Sequence, residues 1–254
     1  MTEREATRAD NFTDAAFAFA VTLMVVGGGG AAGDGGTLET AVAAIPSFVI
    51  GFATMAMFWW SHVRWRRLRG AGDARSLLLT LLLVFTVLIY VVPLRAMAAS
   101  FAAFLVGDFA GYSGSLSRLF TVYGLGFTAM SALTAALYHD VRRRPDLSPD
   151  DAREGRGQVG IWSILAGTGF ASTALALIPG FAAVAPFLYA TLPISIGIFA
   201  WRFDWSGTPG KAEPLLAPGD VEAAGDDDRG ADPGPGAGQH PEQDIAIERG
   251  PEQA

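Results

Sequence analysis

The 254-residue chain has no cysteine, a single lysine (Lys211) and three histidines. Without cysteine there can be no disulfide framework and no thiolate metal site. His62, His139 and His240 are too few and too scattered for a histidine metal centre. Long stretches also lack charge of either sign. The chain is 51% hydrophobic with a mean hydropathy of +0.33. That combination excludes an ordinary soluble domain and predicts an all-α integral membrane protein.

A helix needs about 20 mostly apolar residues to cross the bilayer core. Six segments qualify, at roughly 11–28, 41–63, 77–97, 117–138, 159–178 and 181–201. Pro46, Pro93, Pro179 and Pro186 fall near span ends or in the last pair, where neighbours can satisfy the freed carbonyls. The N-terminal Met1-Thr2-Glu3-Arg4-Glu5 mixes acids with bases and does not read as a secretory signal.

The loops set the orientation. Arg64, Arg66, Arg67, Arg69 and Arg75 lie between spans two and three. Arg142, Arg143, Arg144, Arg153 and Arg156 lie between spans four and five. No Lys or Arg separates spans one and two, or five and six. The positive-inside rule then places both termini in the cytoplasm of a plasma-membrane protein. Residues 203–254 carry a net charge of −9, which leaves +2 for residues 1–202. The expected division is a six-helix domain over 1–203 and an acidic, disordered tail over 204–254. Asp226-Asp227-Asp228 reads as a solvated acidic run rather than a cation site.

The first span opens on Arg8-Ala9-Asp10-Asn11-Phe12-Thr13-Asp14. An acid at the mouth of a membrane helix is costly and needs a partner. Span two ends on the same side, so Phe58-Trp59-Trp60-Ser61-His62-Val63-Arg64-Trp65 lies at matching depth. Asp14 is expected to accept a hydrogen bond from His62 or Trp60. At about 100° per residue, Phe12, Ala16, Phe19, Leu23 and Val26 form one stripe, with Thr22 beside it. Asp14 falls about 160° from that stripe's centre. Packing through Ala15, Ala16, Ala18 and Ala20, or contact with lipid, explains an apolar face equally well.

At these residues the sequence resembles the transmembrane protein 175 potassium-channel family. Bacterial members carry Arg-x-x-x-Phe-Ser-Asp at the start of the first helix. Arg8, Phe12, Thr13 and Asp14 match it, with Thr for Ser. Thr22-Leu23, the Trp60 and His62 pair, and Pro93 match further family positions. The resemblance implies a homotetramer in the lipid bilayer, with six helices per chain and the first helix lining a potassium-permeable path. Carried over by position, Phe19, Leu23 and Val26 form a hydrophobic constriction, with Thr22 beside them. Arg8, Phe12, Thr13, Asp14, Trp60 and His62 form the network that holds that helix. A dewetting gate of this kind needs neither a cofactor nor a carbonyl filter, and no Thr-Val-Gly-Tyr-Gly run is present. Phe19 departs from the aliphatic residue usual in the family, and the glycine-rich loop over 27–36 replaces the usual end of the first helix.

Three rival readings remain open at this point. A proton-coupled secondary transporter would use Asp14 and His62 as a relay, although such sites favour mid-membrane positions in repeated halves. An enzyme would draw on Ser131, His139 and Asp140, but adjacent helical residues point about 100° apart and make no dyad. A membrane scaffold could bind partners through the acidic tail. The expectation is a channel and not an enzyme.

Overall fold

The computed structural model describes residues 3–26, 38–70, 72–105, 116–203 and 205. All of them belong to one unit, Met1–Gly207. The tail expected from residue 204 onward lies outside the described residues except for Trp205, and so does the whole glycine-rich loop over 27–36. Among the described residues every regular element is helical. The helices are α1 (Glu3–Val26), α2 (Leu38–Ala43), α3 (Ile45–Arg69), α4 (Ala74–Leu105), α5 (Leu116–Asp140), α6 (Pro149–Leu177) and α7 (Leu192–Arg202). Short 3-10 segments lie at Val141–Arg143 and Ala185–Thr191.

Local chemistry explains the boundaries. Gly70, at φ +66°, ends α3 and returns its N–H to the Arg66 carbonyl. Asp73 and Ser76 then cap α4 reciprocally: the Ser76 N–H donates to Asp73 Oδ1 at 2.9 Å, and the Asp73 N–H donates to Ser76 Oγ at 2.9 Å. Ser148 accepts from the Asp151 N–H at 3.0 Å and opens α6, with Pro149 in the first turn. Pro93 stays inside α4, flanked on both sides by helix.

Two expectations from the sequence need correction. The opening heptad is not the mouth of its helix, because α1 begins at Glu3 and the heptad occupies its second and third turns. The expected sixth span, 181–201, is not one helix. Gly180 takes φ +85° after Pro179, a turn follows, and the chain passes through the 3-10 segment before α7 begins. Pro179, Pro186 and Pro193 remove donors and fix φ, so a continuous α-helix cannot form. Among the described residues four helical stretches are long and apolar enough to cross a membrane: Arg4–Val26, Ala74–Ala103, Ser117–Arg143 and Pro149–Leu177. The protein is a multi-pass membrane protein. Helix α3 is 25 residues long and carries no charge before Arg64.

The core lies between α3, α4, α5 and α6. Met55, Phe58 and Trp65 of α3 meet Leu83, Val87, Tyr90 and Leu94 of α4, and Phe127, Met130 and Tyr138 of α5, with Trp162 and Leu165 of α6. Helices α5 and α6 make the most extensive pair. A Cβ on Gly124 would stand 3.1 Å from the Gly169 carbonyl oxygen, so only glycine permits this approach. On the other flank, α1 packs against α3 and α4.

Candidate functional site

Helix α1 has three faces. Ala6, Thr13, Phe17, Ala20 and Met24 are buried against the bundle. Met24 reaches so close to Gly51 of α3 that any side chain there would displace it. Phe12, Phe19, Thr22 and Val26 lie on a second, exposed face, and Phe19 and Val26 are more than half exposed. Leu23 is half-buried at the border and touches the core. Asp14 lies on a third face, on the opposite side of the buried one from Phe12 and Phe19.

Asp14 Oδ1 accepts a hydrogen bond from Trp59 Nε1 at 2.9 Å. The expected partner was Trp60 or His62, and neither fills that role. Consecutive residues on α3 point about 100° apart, so only one of two adjacent tryptophans can face α1. Trp60 instead lies under the Arg67 guanidinium, 5.7 Å from its carbon to the ring centre. His62 is buried deeper, with Nε2 3.4 Å from Thr80 Oγ1 of α4 and its ring 5.2 Å from that of Trp65. Thr13 is fully buried and returns its hydroxyl to the Ala9 carbonyl at 2.8 Å. Arg8 and Phe12, with Leu77, Thr80 and Leu81 of α4, line a groove of about 280 Å³. The motif residues therefore divide: Asp14 meets α3, while Arg8 and Phe12 flank α4.

The sequence reading missed a second set of anchors at the same end of the bundle. Arg66 Nε of α3 donates to Asp10 Oδ1 of α1 at 2.7 Å. Arg69 Nε donates to Asp140 Oδ2, at the end of α5, at 2.9 Å, and both side chains are almost fully buried. Arg64 pairs with Glu154 of α6 at 2.6 Å. Tyr138 donates its hydroxyl proton to the Ser61 carbonyl at 2.9 Å, and Arg144 donates to the Leu68 carbonyl at 2.9 Å. The arginines counted as an orientation signal are thus also cross-links between α3 and its neighbours α1, α5 and α6. The available sign was Asp10, an acid one turn before Asp14 on the same helix. Ser131, His139 and Asp140 do not assemble as a catalytic group, since Asp140 is held by Arg69. Among the described residues no cluster of His, Cys, Asp and Glu could hold a metal ion.

Residues 8–93, which span α1 to most of α4, match the family model described as endosomal/lysosomal potassium channel TMEM175. A relative from Marivirga tractuosa, named a potassium channel, is 29% identical over 149 residues, covering 53% of this chain and 59% of the relative. The chain thus spans less than two thirds of that relative's length. A crystal structure of a variant of the potassium channel MtTMEM175, solved with a nanobody–MBP fusion, superposes with a TM-score of 0.66. It shares 23% identity and covers 76% of this chain and 91% of that one. That likeness shows a common fold. The match contains α1 from Arg8 onward, with Trp59, Trp60 and His62, so all but the first turn of α1 lies inside the matched stretch.

Proposed function

We propose that the protein is a potassium-permeable cation channel that assembles as a homotetramer, with α1 lining the path. The observation that carries this reading is the exposed Phe12, Phe19 and Val26 face on α1, the first helix of the TMEM175 match. That face stays outside the core although α1 has α3 and α4 to pack against. The relatives named above are potassium channels by name, and channel activity comes to this chain from them as part of the proposal.

In this reading Phe19, Leu23 and Val26 form the constriction, with Thr22 beside them. A ring of large apolar side chains at a symmetry axis opposes ions by dewetting and needs no bound group. Arg8, Phe12, Thr13 and Asp14, with Trp59, His62 and the Asp10–Arg66 pair, fix the rotation of α1 and so decide which face meets the axis. The sixth crossing is made by the 3-10 segment and α7 laid end to end. Seven residues at about 2.0 Å and eleven at about 1.5 Å give about 30 Å, the thickness of the hydrocarbon core. The arginine end lies in the cytoplasm, at the plasma membrane, following the charge bias of the loops.

The test is potassium flux from liposomes containing the purified full chain, with particle mass measured in parallel. Wild-type protein should pass potassium as a particle of four chains, and Phe19→Ala should raise the flux. A monomer by mass that passes no potassium at any pH or voltage overturns the reading. Flux that is strictly coupled to a proton gradient, and lost in Asp14→Asn or His62→Gln, would establish the transporter instead.

A further inference from the structure

Asp140 is fully buried where α3, α4 and α5 meet at the arginine end, and three arginines converge on it. Arg69 satisfies Oδ2 at 2.9 Å and is itself buried. Arg143 and Arg75 approach the other oxygen, Oδ1, at 3.6 and 3.9 Å. Those distances are too long for hydrogen bonds, and Oδ1 has no hydrogen-bond partner among the described residues. Each of the two arginines comes closest through Nε. Their terminal nitrogens are therefore farther from Oδ1 than Nε is. Both side chains are about half exposed, at 47% for Arg75 and 55% for Arg143. Neither guanidinium makes a hydrogen bond among the described residues. Asp73, the other acid at this spot, is engaged by the Ser76 N–H and hydroxyl and lies 3.7 Å from Arg69.

Asp140 thus draws two half-exposed guanidiniums to one carboxylate oxygen, and neither spends its donors on a hydrogen bond among the described residues. A phosphate that accepts hydrogen bonds of about 2.8 Å from both fits this pattern, and planar arginine forks suit it better than ammonium groups. A second observation names the source of the phosphate. Leu78, Leu82, Phe85 and Ile89 follow Arg75 along one side of α4, and all four are exposed. An acyl chain can run down that stripe while its head group meets Arg75. Exposed arginines at the ends of membrane helices are where anionic head groups collect.

We infer that Arg75 and Arg143, anchored by Asp140, bind the phosphate of an anionic phospholipid whose acyl chain lies along Leu78, Leu82, Phe85 and Ile89 of α4. The inference rests on the membrane placement of the chain and not on ion conduction.

Native mass spectrometry of the full chain in detergent, titrated with phosphatidylglycerol and separately with phosphatidylcholine, tests it. Wild type should retain phosphatidylglycerol over phosphatidylcholine. Arg75→Gln or Arg143→Gln should each weaken retention about fivefold, and the pair about 30-fold. Arg75→Lys/Arg143→Lys should lose less than the Gln pair. Thermal melting of each variant shows that it is folded before it is titrated, and the Lys pair keeps the test open if the Gln pair unfolds. Inorganic phosphate at millimolar concentration should not displace the lipid, and Phe85→Ala/Ile89→Ala should weaken lipid retention. Displacement by phosphate with no effect of Phe85→Ala/Ile89→Ala would assign the site to free phosphate and overturn the lipid. Equal retention of both lipids, or full retention by the Gln pair, overturns the site itself. None of these readouts involves potassium, so failure here leaves the channel reading standing, and the converse also holds.

Discussion

Helix α1 and the α5–α6 pair solve the same packing problem in opposite ways. Helices α5 and α6 approach until backbone meets side chain, with Gly124 against Thr173 and Gly169 against Thr128. Helix α1 gives one face to the bundle and leaves its Phe12, Phe19 and Val26 face outside. Its polar fasteners, Asp10 to Arg66 and Asp14 to Trp59, fall in its first half alone. In a membrane, where lipid is as apolar as leucine, close backbone approach and polar links hold helices together. The α5–α6 pair uses the first device and α1 mostly the second. Residues on the outer face of α1 are therefore free to serve something other than the fold.

Mutations can break that contrast. The largest effect is expected at Asp140, which closes α5 against α3. Asp140→Ala leaves Arg69 buried without its partner and should cost about 3–5 kcal/mol of stability, read by thermal unfolding in detergent. Arg69→Met/Asp140→Leu should recover much of that loss. Gly124→Val should cost about 1–3 kcal/mol by forcing α5 and α6 apart. A melting temperature unchanged from wild type would contradict the glycine contact.

Smaller effects sharpen the account of α1 and its surroundings. Trp59→Phe should cost about 1 kcal/mol by removing the donor to Asp14, whereas Trp60→Phe should leave that bond intact. If the two variants behave alike, the rotation of α3 assigned here is wrong. Asp73 gives a pH signature. The Ser76 backbone N–H, and then its hydroxyl, hold the Asp73 carboxyl below the usual 3.8. A depressed folded-state value means that the unfolded chain takes up the proton first. The stability from this cap is complete above about pH 4 and is lost as pH falls through the folded value. Melting of Ser76→Ala should therefore depend less on pH below 4 than melting of wild type. The smallest effect belongs to Phe19→Ala, within about 0.5 kcal/mol on stability despite its expected effect on flux.

Much of the fold was legible because its signals are local. Uncharged runs located five of the long helices to within a few residues at most ends, and the Arg-x-x-x-Phe-Thr-Asp spacing pointed to the family that residues 8–93 match. The start of α1 was missed because the first span was drawn from its apolar run alone, although the helix continues back through polar residues to Glu3. The last segment was misread because hydropathy does not distinguish a 3-10 turn over Ala185–Thr191 from an α-helix. Depth matching brought Asp14 to the right stretch of α3 but to the wrong tryptophan. Asp140 was weighed only beside Ser131 and His139, and nothing near it in sequence marks its bond to Arg69, 71 positions away.

The sequence by itself determined that long apolar helices run through most of α1 and through α3 to α6, where the arginines gather, and which face of α1 is apolar. Hydropathy and the 3.6-residue period act over one or two turns, so neighbouring residues carry that information. Only the tertiary structure decided that Trp59 rather than Trp60 meets Asp14, that Arg66 holds Asp10, and that Asp140 gathers Arg69, Arg75 and Arg143. Those choices depend on how far each helix is rotated about its axis. A step of one residue turns a side chain by about 100°, and packing against the neighbouring helices sets that angle.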